Sequence, residues 1–95
     1  MSEIPNNLKN QINTAAYFLS QKNHPYDSLC WMLAERELFI QFNFIRPQKE
    51  KIRKRAARIF FSKTPYDVLC WLIAEKDILF KSKMFKKSTK PTFYL

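Results

Sequence analysis

Apolar positions along this chain follow helical spacing throughout, in two alternating forms. Leu8, Ile12, Ala15, Ala16 and Leu19 fall three or four residues apart on one face. That predicts a helix from Asn6 or Asn7 to about Lys22, with Asn6 as its cap. Asn23-His24-Pro25 breaks it. From Pro25 to about Gln41–Asn43 the pattern widens. Trp31, Leu38 and Phe42 share one side, Leu29, Leu33 and Ile40 the opposite side, and Met32 and Phe39 a flank. A helix apolar nearly all round is sandwiched between others. After Phe44-Ile45-Arg46-Pro47 the one-sided pattern returns. Ile52, Ala56, Ile59 and Phe60 predict a third helix from Pro47 to about Lys63. Thr64-Pro65-Tyr66-Asp67 opens a fourth, with Thr64 as cap and Pro65 in the first turn, where its missing N–H is harmless. There Trp71 and Ile78 oppose Leu69, Ile73 and Phe80, and the helix is expected to reach about Lys83.

The alternation is a repeat with a fixed offset of 40 and no gap. Pro25, Tyr26, Asp27, Leu29, Cys30, Trp31, Ala34 and Glu35 recur as Pro65, Tyr66, Asp67, Leu69, Cys70, Trp71, Ala74 and Glu75. Ile12, Ala16 and Leu19 match Ile52, Ala56 and Ile59. The expected fold is therefore all-α: two tandem helical hairpins, about four helices, packed as a compact bundle and related by a pseudo-two-fold axis. One two-helix unit cannot bury its own apolar surface, so two copies stack. The hairpin units span about 6–43 and 47–84 of a single domain, 1–84, and 85–95 form a flexible basic tail. The Trp helices should make the centre and the first helices should cover them. A homodimer hiding the second face of each Trp helix is the rival arrangement.

Composition narrows this picture. The chain has 95 residues, 46% of them hydrophobic and 16% aromatic, with no glycine. Lacking glycine, it is poorly suited to primed hairpins and phosphate-cradling loops, and its helices should end on asparagine or lysine. The formal net charge is +9. That favours a polyanionic partner: nucleic acid, an acidic protein surface or assembly partner, or an anionic membrane. The bland alternative is a solvated basic face. The first residues lack the basic and apolar regions of a signal peptide, and the longest apolar run, Val68 to Ala74, is too short to span a membrane. Two cysteines without secretory features point to free thiols and a cytoplasmic setting.

The second unit, from Ile52-Arg53-Lys54-Arg55-Ala56 through Pro65-Tyr66-Asp67 to Trp71-Leu72-Ile73-Ala74-Glu75-Lys76-Asp77-Ile78, resembles the bacterial family known as domain of unknown function 2934. That family shows an Ile-Arg-x-Arg-Ala helix, a turn, and a Trp-Leu-x-Ala-Glu helix. The resemblance spans about 30 residues per unit and implies a helical hairpin. It implies no activity. The first unit departs from it at Asn13, Thr14 and Ala15, where basic residues would stand, and the family's turn glycine is missing.

The strongest functional signal is the basic run. Arg46, Lys49, Lys51, Arg53, Lys54, Arg55, Arg58 and Lys63 surround one acid, Glu50. Lys51, Lys54, Arg55 and Arg58 form a single stripe at helical spacing, suited to phosphates through charge and counterion release. Lys83, Lys86 and Lys87 extend it into the tail, interleaved with Phe80, Phe85 and Phe93. Trp31, Trp71, Tyr26 and Tyr66 read as structural, the tryptophans as core and the tyrosines closing the turns. Glu35 and Glu75 read as carboxylates accepting a hydrogen bond from Trp, Tyr or Arg. Cys30, Cys70 and His24 have no metal-ligand spacing. Neither cofactor nor catalytic constellation is expected. The sequence thus favours a non-enzymatic module binding nucleic acid without sequence preference, with a protein–protein adaptor or small, homodimeric assembly subunit as the alternative.

Overall fold

A computed structural model describes the backbone of residues 6–89 and the side chains of residues 6–81. It contains helices α1 (Asn6–Ser20), α2 (Tyr26–Gln41), α3 (Lys49–Ser62) and α4 (Tyr66–Thr89). Among the described residues there is no strand. The fold is all-α, a four-helix arrangement, as the periodicity requires.

The helix starts differ in detail from the expected ones. Pro25 precedes α2 as its cap position, with extended backbone and no side-chain cap bond. Its carbonyl accepts the Leu29 N–H, and the Pro65 carbonyl likewise accepts the Leu69 N–H. Proline suits this place because its fixed φ leads the chain in. Thr64 does not cap α4 through its hydroxyl, which instead shares a 2.8 Å hydrogen bond with Ser62. Asp67 accepts from the N–H of its neighbour Val68. Gln48, one residue after Pro47, precedes α3. The fourth helix runs to Thr89, so residues 85–89, expected as tail, have helical backbone. Residues 90–95 lie outside the described residues.

Without glycine, the helix ends place other residues in the left-handed region: Asn23 at φ 56°, Asn43 at 57°, Phe44 at 66° and Lys63 at 59°. The end of α2 is the most complete. The Phe44 N–H donates to the Phe39 carbonyl and the Asn43 N–H to the Ile40 carbonyl. This is the paired 6→1 and 5→2 closure of a Schellman motif, with asparagine in the usual glycine position. Its apolar contact is present too, as the Phe39 and Phe44 rings meet edge-on at 5.7 Å.

Helices α2 and α4 lie side by side and parallel. Arg36 reaches Asp77 at 2.8 Å, and one turn further on Phe39 meets Phe80. Helix α1 packs on α4 and α3 packs on α2. The α2–α3 crossing is antiparallel, since Tyr26 stacks edge-on against Phe60 near the opposite end of α3 from Lys51 and Phe42, and Trp71 bonds Asn13 where α1 meets α4. Neither α1 and α2 nor α3 and α4 pack together, although each pair is consecutive. The covering helices are thus exchanged between the repeat units. The pair that folds back on itself is α2 and α3.

The corner geometry explains the exchange. Asn23 turns left-handed and Pro25 is extended, so the chain leaves α1 at an open corner. Lys63 repeats the left-handed turn between α3 and α4, two residues before Pro65. Two bonds tie the corners to each other. The Tyr26 hydroxyl donates to the Thr64 carbonyl at 2.6 Å and the Tyr66 hydroxyl to the His24 carbonyl at 2.7 Å. Adding 40 to the number of the donor tyrosine and subtracting 40 from that of its acceptor converts the first bond into the second. The tyrosines do close turns, but each closes the other unit's.

The core follows the same rule. Ile12, Ala16, Leu29, Cys30, Leu33 and Ala34 are buried, and so are Ile52, Ala56, Leu69, Cys70, Ile73 and Ala74. Burying each large aliphatic side chain stabilises the fold by roughly 1.5–3 kcal/mol. Leu38 is buried and its counterpart Ile78 packs against the core. Trp31 and Trp71, expected in the core, are half-buried and pack against it from the rim. The apolar second face of each Trp helix is covered within the chain by α1 or α3.

Candidate functional site

Helix α3 turns Ile52, Ala56 and Ile59 toward α2 and leaves its charged residues outside. The predicted stripe divides there into two kinds of cation. Arg55 is half-buried and bridges to α2, donating to Glu37 at 2.9 Å and to Gln41 at 3.2 Å. Its charge is used within the fold. Lys51, Lys54 and Arg58 are exposed and meet no carboxylate among the described residues. Lys51 sits over the Phe42 ring, 5.7 Å from its centroid, a cation–π contact that leaves the ammonium accessible. Lys49 is also exposed and unpaired by an acid, while Arg53 pairs with Glu50 at 2.9 Å. The side chains of Lys83, Lys86 and Lys87 lie outside the described residues. Helix α1, which takes the equivalent place on α4, carries a single cation, Lys9.

Each covering helix leaves a surface groove against the Trp helix it packs on. Between α1 and α4 the groove is lined by Asn13, Ala16, Tyr17, Asp67, Val68 and Trp71. Between α2 and α3 it is lined by Asp27, Trp31, Arg53, Ala57, Phe60 and Phe61. Most positions correspond at the 40-residue offset, so the molecule presents two versions of one groove. They differ where it matters chemically. In the first, the Trp71 Nε1–H donates to Asn13 Oδ1 at 2.8 Å. In the second, Arg53 replaces that asparagine and turns to Glu50. The Trp31 Nε1–H has no protein acceptor among the described residues. No buried side-chain polar atom there is left unpaired, so this N–H opens to solvent.

Several exposed aromatics were not singled out by the periodicity. Phe61 is 75% exposed, Phe18 60% and Tyr17 59%. The signal was present for Phe61, which falls opposite Ile52 on the helical wheel. Phe60, placed in the buried stripe, is 42% exposed and edges onto Tyr26 at 5.5 Å. It sits at the margin of the stripe, where α3 ends beside the corner.

Of the two glutamates, only Glu35 has a partner of an expected kind, an arginine. Glu75 takes Lys76 at 3.2 Å, and Glu35 comes within 3.9 Å of Arg36, beyond hydrogen-bond range. Both cysteines are buried and free. Burial raises both thiols above their ordinary range, and the nearby Asp27 and Asp67 carboxylates raise them further. Among the described residues no three His, Cys, Asp or Glu side chains gather to hold a metal, and no helix is long and apolar enough to cross a membrane. Compared with protein-family models, with curated proteins and with solved structures, the chain matches none.

Proposed function

We propose that this protein is a small non-enzymatic module that binds nucleic acid without sequence preference. The contact surface is the outer face of α3, continued by Lys83, Lys86 and Lys87 of α4. The observation that carries the reading is the division of cations on α3. Arg53 and Arg55 are paired with carboxylates, while Lys49, Lys51, Lys54 and Arg58 meet no carboxylate among the described residues and present their charge on one helix. Free cations at helical spacing bind phosphates by releasing counterions, so affinity falls steeply with salt. Two buried reduced thiols fit a reducing, cytoplasmic setting, and the resemblance to domain of unknown function 2934 suggests a bacterial one. The reciprocal tyrosine bonds support a pseudo-two-fold axis between the units, along α2 and α4.

The test is binding of labelled duplex and single-stranded oligonucleotides at low salt. Replacing Lys54 and Arg58 together by glutamate should weaken binding at least ten-fold and reduce the salt slope, each phosphate contact contributing about 0.7–0.9 to it. Absence of binding to both nucleic acids at low salt removes the reading. A second reading, a protein adaptor or homodimer, draws on the exposed Phe18, Tyr17 and Phe61. It predicts a mass above the monomer in sedimentation, or an acidic protein that co-purifies and is lost on Phe61→Ser.

A further inference from the structure

We infer that the groove between α2 and α3 is a nucleobase slot, which makes single-stranded nucleic acid the preferred ligand. This rests on the polyanion reading above and adds the part of the ligand that phosphate contacts leave unread. Three observations converge on it. First, Phe61 follows Lys54 and Arg58 at i+7 and i+3, so the most exposed large apolar side chain among the described residues shares a face with two cations that meet no carboxylate there. A backbone tracked by those cations brings its bases past an aromatic ring, the arrangement by which single strands are held through stacking. A duplex, with its bases stacked inside, offers that ring nothing.

Second, the groove offers hydrogen-bonding groups at its base. The indole N–H of Trp31 is a donor with no protein acceptor among the described residues, and the Asp27 carboxylate lining the same groove is an acceptor for an exocyclic amino group. Ala57 stands where Tyr17 stands in the other groove, and Phe60 and Phe61 add aromatic surface that the other groove lacks. Third, the molecule contains its own control. At the equivalent groove the Trp71 N–H is already taken by Asn13, and the covering helix α1 carries only Lys9. The same scaffold holds its indole N–H in a hydrogen bond beside a weakly charged helix on one side, and leaves it without an acceptor among the described residues beside a basic helix on the other.

The experiment uses the full chain carrying Trp71→Phe, so that Trp31 alone reports, and a second version carrying Trp31→Phe, so that Trp71 alone reports. Each is titrated at low salt with a labelled mixed-sequence single strand and with the corresponding duplex. Label anisotropy gives affinity and indole emission gives location. The inference expects tighter binding of the single strand, quenching of Trp31 but not of Trp71, and a loss of roughly five-fold or more for the single strand on Phe61→Ala with little change for the duplex. Equal affinity for both nucleic acids, without quenching of Trp31 and without effect of Phe61→Ala, overturns the slot and leaves the polyanion reading standing. No binding of either overturns both. A Trp31 emission shift with protein concentration alone, at dimer mass, assigns the groove to a second copy of the chain and overturns the slot. Circular dichroism of each variant confirms that the helices are intact.

Discussion

Arg55 and Arg58 differ by one turn of the same helix and by what each touches. Arg55 joins α3 to α2 through Glu37 and Gln41, whereas Arg58 meets no carboxylate among the described residues. Arg55→Ala should cost stability, about 0.5–1.5 kcal/mol for the half-buried bonds, measured as a lowered urea midpoint. Arg58→Ala should leave the midpoint unchanged and weaken nucleic-acid binding. A second residue-scale prediction concerns alkaline pH. The Cys30 and Cys70 thiols are raised first by burial and then by Asp27 and Asp67, and the Tyr26 phenol first by burial and then by Cys30. In each the fold favours the neutral form, so the folded chain keeps its proton to higher pH than the unfolded chain. Stability is full below the ordinary thiol value of 9.0 and declines as pH rises through it and through the phenol value of 10.0. Cys30→Ala with Cys70→Ala should flatten that decline in urea midpoints taken from about pH 7 to about pH 10.5, even though the variant starts from lower stability.

At the scale of the element, periodicity carried most of the information. The stripe of Ile12, Ala16 and Leu19 and the two-sided pattern around Trp31 each placed a helix within a few residues of its observed bounds. Proline led to the right places for the wrong detail, since the cap position and the first helical position both tolerate it. The end of α4 was harder to read, because a lysine-rich segment beyond the last core residue has no apolar period to follow. Exposure of Phe60 was equally hidden, since it depends on where the neighbouring corner runs. The left-handed ends yield a prediction of their own. A non-glycine residue there costs roughly 1–2 kcal/mol, and asparagine costs less than lysine. Lys63→Gly should therefore stabilise the fold by about 0.5–1 kcal/mol, net of the greater freedom glycine gives the unfolded chain. That corresponds to a melting temperature higher by a few degrees. Asn43→Gly should give less.

For the whole molecule, the four helices and their centre were legible and the exchange of covering helices was not. The reason lies in the repeat itself. Ile12 and Ala16 on α1 present nearly the same face as Ile52 and Ala56 on α3, and Leu29, Cys30, Leu33 and Ala34 nearly the same seat as their counterparts. Either covering helix fits either seat, so the apolar pattern is silent about the pairing. Corner geometry and the crossed tyrosine bonds decide it. The difference between the two grooves was obscured for a related reason: the tryptophans stand in nearly the same sequence context, and the residue that separates their indoles, Asn13 or Arg53, comes from another helix. The exchange predicts that one unit by itself cannot seat its own first helix. A peptide of residues 1–45 should be mostly unfolded when dilute and gain helix only as it dimerises, with circular dichroism that rises with peptide concentration.

The crossing of α1 onto α4 also fixes an order of events as the chain is made. Helices α2 and α3 are joined by a short connection and can pair as soon as both exist. Helix α1 emerges before either, yet its seat is the last of the four helices to be synthesised. Through the interval its apolar stripe, centred on Ile12, stays uncovered, and the loop it must finally close is the longest in the fold. The segment made first is the one buried last. A nascent chain halted before α4 would therefore display that stripe to chaperones or to its neighbours on the same message.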